Sequence, residues 1–504
     1  MPRRLIAFVL FCALTSCTTI PIIEHEVVER ARPVPHSGPL VQASQEVVRG
    51  GADSHFMLLN NAEEALKWRL ALIDSARSSL DIQTFMWESD DAGALLFDRV
   101  LRAADRGVRV RLLVDDIWFE SDEQAMAAID AHPNLSMRLY NPSRVRGGSV
   151  SRAMYFLTNY KKMNRRMHNK TFIADGVFAI NGGRNLGGKY FGLSKKYNFR
   201  DLDVLTTGPV LSEVREEFDL FWNSAYAYPA KYLSDEAESY DVPSSLKRMR
   251  KVIVRHEDGL LKSYPIRVRD WGDELKILRN EMVSGQAHFV GDDPYGRERI
   301  VVDYVTEALA NAQSEITIIS PYFIPYANRF DGVDKLIERG VKVNIVVPSL
   351  GANNHTPAHS HYRKYRKAIL DAGCSLYEYH FQPDAGQRAL CDVEPVRASF
   401  IGMHMKAVII DRRVCFIGSL NMDPRAMDIN TEEGMFIESE ELTKQMLEIV
   451  EAMTLPANAW KLEQTDRGRI QWRGECVLTR QPARNEWQRI IDAITRWIPI
   501  ESEL

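Results

Sequence analysis

The chain has 504 residues, 45% of them hydrophobic and 26% charged, with a formal net charge of −4. This is an ordinary globular composition, long enough for two large domains. A dedicated nucleic-acid binder would carry an excess of Lys and Arg, so the balance argues against one and no nucleic acid is expected as a partner.

The chain opens with Arg3 and Arg4, followed by an apolar run over 5–14. That run is too short to span a bilayer and predicts a signal peptide over 1–16. Residues 14–17, Leu-Thr-Ser-Cys, resemble the bacterial lipobox. The resemblance implies cleavage before Cys17 and lipidation of its thiol. It places the chain in a bacterial cell envelope, facing the periplasm. Thr18 replaces the aspartate of the usual inner-membrane retention signal, which favours the outer membrane over the inner. Residues 17–54 contain Pro33, Pro35 and Pro39 without sustained periodicity and read as a flexible tether.

Alternating elements follow: a helix over 61–76, a strand over 80–86, a helix over 92–106 and a strand over 108–115. Such alternation predicts an α/β layer architecture. Residues 147–166 mix Tyr155, Phe156 and Tyr160 with Lys161, Lys162, Arg165 and Arg166, a composition suited either to an anionic membrane surface or to a solvated loop. Next comes His168-x-Lys170 with Asp175 five residues beyond the lysine, then Gly183 and Asn185. Asp175-Gly176 lies between two short apolar runs, a hairpin signal of the type I′ kind.

The same pattern returns as His404-x-Lys406, Asp411, Ser419 and Asn421. The histidines are 236 residues apart, and so are the asparagines. The segments 76–82 and 312–318 correspond at the same offset, and 106–110 corresponds to 339–343 at 233. One His-x-Lys is a chance event; two extended copies in one register are an internal duplication. The chain therefore reads as two similar lobes, 55–230 and 285–504, joined by a bridge over 231–284. The second turn, Asp411-Arg412-Arg413, lacks glycine and predicts a longer loop. Imidazole, ammonium, amide and small residues together suit a tetrahedral anion: Lys neutralises oxygens, Asn donates, and Gly183 and Ser419 let backbone N–H groups approach.

Both copies match the signature of the phospholipase D superfamily, and the wider sequence resembles its cardiolipin synthase branch, closest to the bacterial C-type members. The resemblance rests on residues 164–170, 182–185, 201–204 and 320–325, and covers roughly residues 55–504. It implies two phospholipase D-type lobes, each a mixed β-sheet flanked by helices, related by a pseudo-two-fold axis, with both half-sites in one monomeric chain. It implies no metal and no cofactor. One histidine would attack phosphorus and the other would act as acid and base; first-motif attack, usual in the family, makes His168 the nucleophile and His404 the acid/base, with the reverse assignment as the alternative. Lys170, Lys406, Asn185 and Asn421 would hold the phosphoryl oxygens. Asp175 and Asp411 complete the catalytic motifs, although their turn positions suit a bracing role. The histidine-orienting acids would be Asp201 and Glu432, with Glu433 competing for the second place. The substrates implied are phospholipids at a membrane surface: phosphatidylglycerol as acceptor, and a second phospholipid as donor of the phosphatidyl group. The alternatives are a hydrolytic phospholipase D, a nucleic-acid phosphodiesterase and a non-enzymatic lipid-binding lipoprotein.

Further on, His355, His359 and His361 cluster within 353–366, without a carboxylate beside them. His359 and Tyr362 match the resembled family and are expected near the head group. An oxidising compartment permits a disulfide, and Cys374 with Cys391 is the expected pair; Cys415 lies in an apolar strand and reads as a buried thiol. Trp487, Ile490, Ile491, Ile494, Trp497 and Ile498 recur at helical spacing, an amphipathic C-terminal helix expected to pack on the second lobe more readily than on a membrane.

Overall fold

The computed structural model describes residues 28–118, 123–145, 154–155, 158–233, 239–325 and 332–504. The predicted signal peptide and Cys17 lie outside the described residues, as does most of 146–157.

Nine strands come from the first lobe: β1 (Ser54–Leu59), β2 (Ser79–Thr84), β3 (Arg109–Asp115), β4 (Leu135–Tyr140), β5 (Thr171–Ala174), β6 (Phe178–Gly182), β7 (Tyr197–Arg200), β8 (Asp203–Thr207) and β9 (Ala227–Pro229). Eight of them form a mixed sheet in the order β1-β8-β6-β5-β2-β3-β4-β9, with β2, β3 and β4 parallel. The second lobe supplies β10 (Val283–Gly291), β11 (Glu315–Ile319), β12 (Lys342–Pro348), β13 (Ser375–Tyr379), β14 (Phe400–Met403), β15 (Ala407–Ile410), β16 (Val414–Gly418), β17 (Glu433–Glu438) and β18 (Ala459–Gln464). Their order, β10-β17-β16-β15-β11-β12-β13-β18, repeats the first sheet strand for strand. The parallel strands are linked through helices such as Asp91–Asp105, as parallel pairing requires.

Antiparallel pairing of β1 with β10 joins the two sheets edge to edge. Alternate residues then bury on opposite faces. Ile173, Ala179, Ala407, Ile409, Cys415 and Met435 share one core between the lobes. Leu80, Ile82, Val110 and Leu112 pack under the first lobe's outer helices, and Ile316, Ile318, Val343 and Ile345 under the second's. A second junction is a parallel pair, β7 with β14.

Several expectations change. The segment read as a tether contains the helix Pro39–Val48, with Leu40, Val41, Ala43 and Val47 buried. Pro39 sits at the start of that helix, where a missing N–H costs nothing. The bridge belongs to the first lobe: Ile253, Leu261, Tyr264, Trp271 and Leu278 join its outer core. Cys374 and Cys391 are free thiols. They lie in different cores, Cys374 in the outer core of the second lobe and Cys391 between the lobes, and burial pushes both up to about 12.

The C-terminal helix, Glu486–Thr495, is turned the other way from its expected packing. It seats its polar face: Gln488 and Asp492 are buried, and Asp492 bonds His359 Nδ1 at 2.9 Å and also pairs with Arg363. Trp487 and Trp497 are 73% and 80% exposed, and Ile490, Ile491 and Ile494 face out with them. Buried, hydrogen-bonded polar groups thus decide the orientation over the apolar pattern.

The second hairpin is no longer than the first. Ala174 pairs with Phe178, and Ile410 with Val414, so both turns have equal length. Asp175 and Gly176 have φ of 51° and 66°; Asp411 and Arg412 have 52° and 57°. Both are therefore left-handed at the two central positions, and Arg412 holds the place glycine fills in the first copy. Asp411 holds the strained turn by accepting the N–H groups of Gln313, Ser314 and Glu315 at 2.7 to 3.1 Å. Arg412→Gly should raise stability by about 0.5–1 kcal/mol, the relieved left-handed strain less the added chain entropy. A urea midpoint that rises with unchanged slope would bear this out; an unchanged or lower midpoint would contradict it.

Candidate active site

The half-sites form where the lobes meet. Each motif histidine follows a segment paired in parallel with the segment before the other lobe's acid. The N–H of His168 donates to the carbonyl of Thr431 at 3.0 Å, and that of His404 to the carbonyl of Arg200 at 2.9 Å. The next residues are Glu432 and Asp201. His168 Nδ1 lies 2.9 Å from Glu432 Oε2, and His404 Nδ1 lies 2.7 Å from Asp201 Oδ2. Each imidazole is therefore oriented by a carboxylate of the opposite lobe. With Nδ1–H donated to a carboxylate, Nε2 is left as the reactive nitrogen.

All four groups are buried, and burial sets their titration. Both histidines lie well below the usual imidazole range, first through burial and then through Lys170 and Lys406. Burial raises Asp201 and raises Glu432 strongly, offset by the same lysines. Each contact is thus a hydrogen bond from a neutral imidazole rather than an ion pair. Lys170 is pushed down to about 7 and Lys406 to about 8, again mainly by burial. Lys170 Nζ donates to the carbonyl of His168; Lys406 Nζ lies 3.1 and 3.2 Å from the two nitrogens of His404. Aromatic edges frame the pocket: Phe85 lies 5.1 Å from the His168 ring, and Phe199 and Tyr190 lie 4.7 and 5.4 Å from that of His404.

Other expected site residues take other places. The Gly183 N–H donates to the Leu202 carbonyl, so it is not offered to a ligand. A Cβ there would stand 2.1 Å from Asp201 Oδ1; the glycine is needed for the carboxylate to reach His404. Ser419, its counterpart, donates from Oγ to Glu432 Oε2 at 2.5 Å. Both small residues therefore serve the acids, not the substrate. Asn185 donates to the Tyr190 hydroxyl at 2.9 Å, and Oδ1 of both Asn185 and Asn421 is buried without a partner. An orphaned amide oxygen is costly. Rotating either amide would turn its NH2 the other way, so both remain available to an anion.

Asp175 and Asp411 stand apart from the imidazoles. Asp175 accepts the N–H groups of Arg77, Ser78 and Ser79, just as Asp411 does for 313–315. They lock the hairpin to the start of the central strand, a correction to their place among the catalytic residues. Nor do His359 and Tyr362 sit by a head group. His359 bonds Asp492 of the C-terminal helix, and Tyr362 donates its hydroxyl to Glu378 of β13.

The sequence reading left the role of Glu433 open and missed two contributors, Asp115 and Phe85. Glu433 binds the Lys170 N–H, Thr171 Oγ1 and Asn169 Nδ2, tying the motif loop of one lobe to the other. This also settles its competition with Glu432. Asp115 accepts the Met167 N–H at 2.9 Å and Phe85 borders His168. The even spacing of Asn169 and Thr171, facing away from His168 and Lys170, was the signal for the tie to Glu433.

Gly183→Ala should leave the fold intact but displace the Asp201 carboxylate by about an ångström, with activity falling on the order of a hundredfold. Turnover within a few-fold of the parent, at an unchanged melting temperature, would contradict this role for the glycine.

A family model described as "Cardiolipin synthase, PLD-like domain" matches residues 70–222 and 305–454, one stretch in each lobe. Cardiolipin synthase C of Escherichia coli (strain K12) is 32% identical over 462 residues, covering 88% of this chain and 94% of its own. Major cardiolipin synthase ClsA of Bacillus subtilis (strain 168) is 24% identical over 400 residues, covering 78% and 68%. The crystal structure of phosphatidylserine synthase from Haemophilus influenzae Rd KW20 superposes with a TM-score of 0.57, covering 92% of this chain and 100% of that one, at 14% identity. At that identity it speaks for the fold alone. Matched by one family in both lobes and by one relative over most of its length, the chain belongs to the cardiolipin synthase-like branch of the phospholipase D superfamily and is an enzyme of the phosphatidyltransferase type.

Proposed function

We propose that the protein makes cardiolipin, moving a phosphatidyl group from a donor phospholipid to the free hydroxyl of phosphatidylglycerol through a phosphohistidine. The reading rests on one observation: two buried imidazoles, each held through Nδ1 by a carboxylate of the opposite lobe, lie among two buried lysines that act on both. His168 Nε2 attacks phosphorus, and the bond to the leaving alcohol breaks. His404, protonated, gives that oxygen its proton. It then takes the proton of the incoming hydroxyl, whose oxygen displaces the imidazole and frees His168. Lys170 and Lys406 hold the non-bridging oxygens where charge builds up. The bound anion lifts the titration of every cation around it, so the substrate itself favours a protonated His404.

The burial of the site supports lipid transfer over hydrolysis in bulk water. His168 and His404 are only 6% and 5% exposed, which limits the competition from water. Both half-sites come from one chain, so the proposed working unit is a monomer. The outward face of the C-terminal helix, with Trp and Ile beside Arg489 and Arg496, suits shallow insertion into an anionic membrane surface. The anchor at Cys17 would act alongside it and hold the enzyme in the envelope.

Purified protein incubated with vesicles of phosphatidylglycerol and phosphatidylethanolamine should yield cardiolipin. His168→Ala or His404→Ala should each lower turnover by about a thousandfold or more, and a joint Trp487→Ser, Trp497→Ser change should reduce sedimentation with the vesicles. Phosphatidic acid as sole product would replace transfer by hydrolysis. DNA cleavage without lipid turnover would reject the lipid reading altogether.

A pH dependence follows from the lysines. Below about 7 both are charged; as pH rises through 7 to 8, first Lys170 and then Lys406 loses its proton in the empty pocket, and the attraction for phosphate falls. The apparent KM for lipid should climb several-fold between about pH 6.5 and 9. In Lys170→Arg, which stays charged, the rise should be smaller. A KM that is flat or falls with pH would contradict these assignments.

A further inference from the structure

The two lobes share one plan, and they part company at one place. In the first lobe the space between sheet and outer helices is filled by two buried ion clusters. Asp203 pairs with Arg69 at 2.9 Å and with Arg184 at 3.3 Å. Asp74 pairs with Arg99 at 2.5 Å and accepts from Trp271 Nε1 at 2.9 Å. The strand registers and the shared turns set the equivalent positions in the second lobe. Arg69 becomes Val305, Arg184 becomes Leu420, Asp203 becomes Gly434, Asp74 becomes Ala310 and Arg99 becomes Gly332. Both clusters have been removed whole, every charge replaced by a smaller or aliphatic residue.

What stands there instead is a cavity of about 350 Å³. Its wall includes Val305, Ala310, Gly332 and Leu420, four of the five replacements, with Ile318 and Ile345 from the sheet. Among the described residues, none with a charged side chain lines it. Leu420 and Met422, which also line it, flank Asn421. The loop that carries this amide, expected to hold phosphoryl oxygens, thus forms part of the cavity wall.

We propose that this cavity receives a fatty acyl chain of a phospholipid whose phosphate lies between the two histidines. The inference rests on the lipid-transferase reading and extends it by naming where one chain goes. A lipid held by its phosphate beside Asn421 brings hydrocarbon to the same loop. A largely aliphatic space favours an apolar guest over water. The first lobe, whose equivalent space is filled by ion pairs, has no room for a second chain there.

The test uses the full chain and cis-parinaric acid, a fluorescent fatty acid, as probe. Fluorescence should rise saturably and fall on adding palmitate. Ala310→Phe, which fills the cavity, should weaken binding at least tenfold with an unchanged melting temperature. It should also raise KM for long-chain phosphatidylglycerol while leaving turnover of the dihexanoyl lipid unchanged. If Ala310→Phe fails to fold, Met427→Ala decides: the enlarged cavity should shift preference toward longer chains, and an unshifted preference overturns the proposal. Absence of saturable binding, or binding indifferent to a folded Ala310→Phe, also overturns it. The two readings fail separately. Probe binding that responds to Ala310→Phe, without turnover of any lipid, keeps the chain site and rejects the transferase. Lipid transfer with no chain-length response to either variant keeps the transferase and rejects the chain site.

Discussion

The hydrogen bond between each motif imidazole and a carboxylate from the opposite lobe is the constraint on which the rest of the site depends. His168 is held by Glu432 and His404 by Asp201, so neither lobe alone carries an oriented histidine. The backbone repeats the exchange, with each histidine N–H bonded to the residue before the other lobe's acid. Sliding one lobe against the other would break both half-sites together. The shared inner core and the β1–β10 junction hold that registration, and Glu433 adds a third tie through Lys170, Thr171 and Asn169.

Duplication explains why the scheme is economical, and divergence shows where the copies were free to change. The brace around the turn aspartates is the same in both lobes down to the hydrogen-bonded residues, even though the second copy places Arg412 in a left-handed position. The orienting acids differ, Asp in one and Glu in the other. The glycine that clears space for Asp201 is matched by a serine that bonds Glu432: a shorter acid needs close approach, and a longer one accepts a hydroxyl between. Away from the chemistry the outer cores diverge most, with buried charges in one and an apolar cavity in the other.

Burial is the second theme of the site. Lysines near 7 and 8, depressed imidazoles and raised carboxylates share one cause, the removal of charged groups from water. Such a pocket is poorly satisfied when empty, with two asparagine oxygens unpartnered. The buried lysines there would gain a counter-charge from a bound anion.

By itself the sequence determined the duplication, the alternation of strands and helices, and the set of histidines, lysines and acids, because these are written in spacing and residue type. Periodicity was a weaker guide wherever burial had a choice. The helix Pro39–Val48 hid behind its prolines, and the C-terminal helix seated Asp492 and Gln488 inward although its apolar face was plain in the sequence. The crossed pairing of acids with histidines, the service of Gly183 and Ser419 to those acids, and the separation of Cys374 from Cys391 were decided only by tertiary structure. Each depends on which residues of distant segments come within hydrogen-bonding reach, and a linear spacing of some two hundred residues carries no record of that distance.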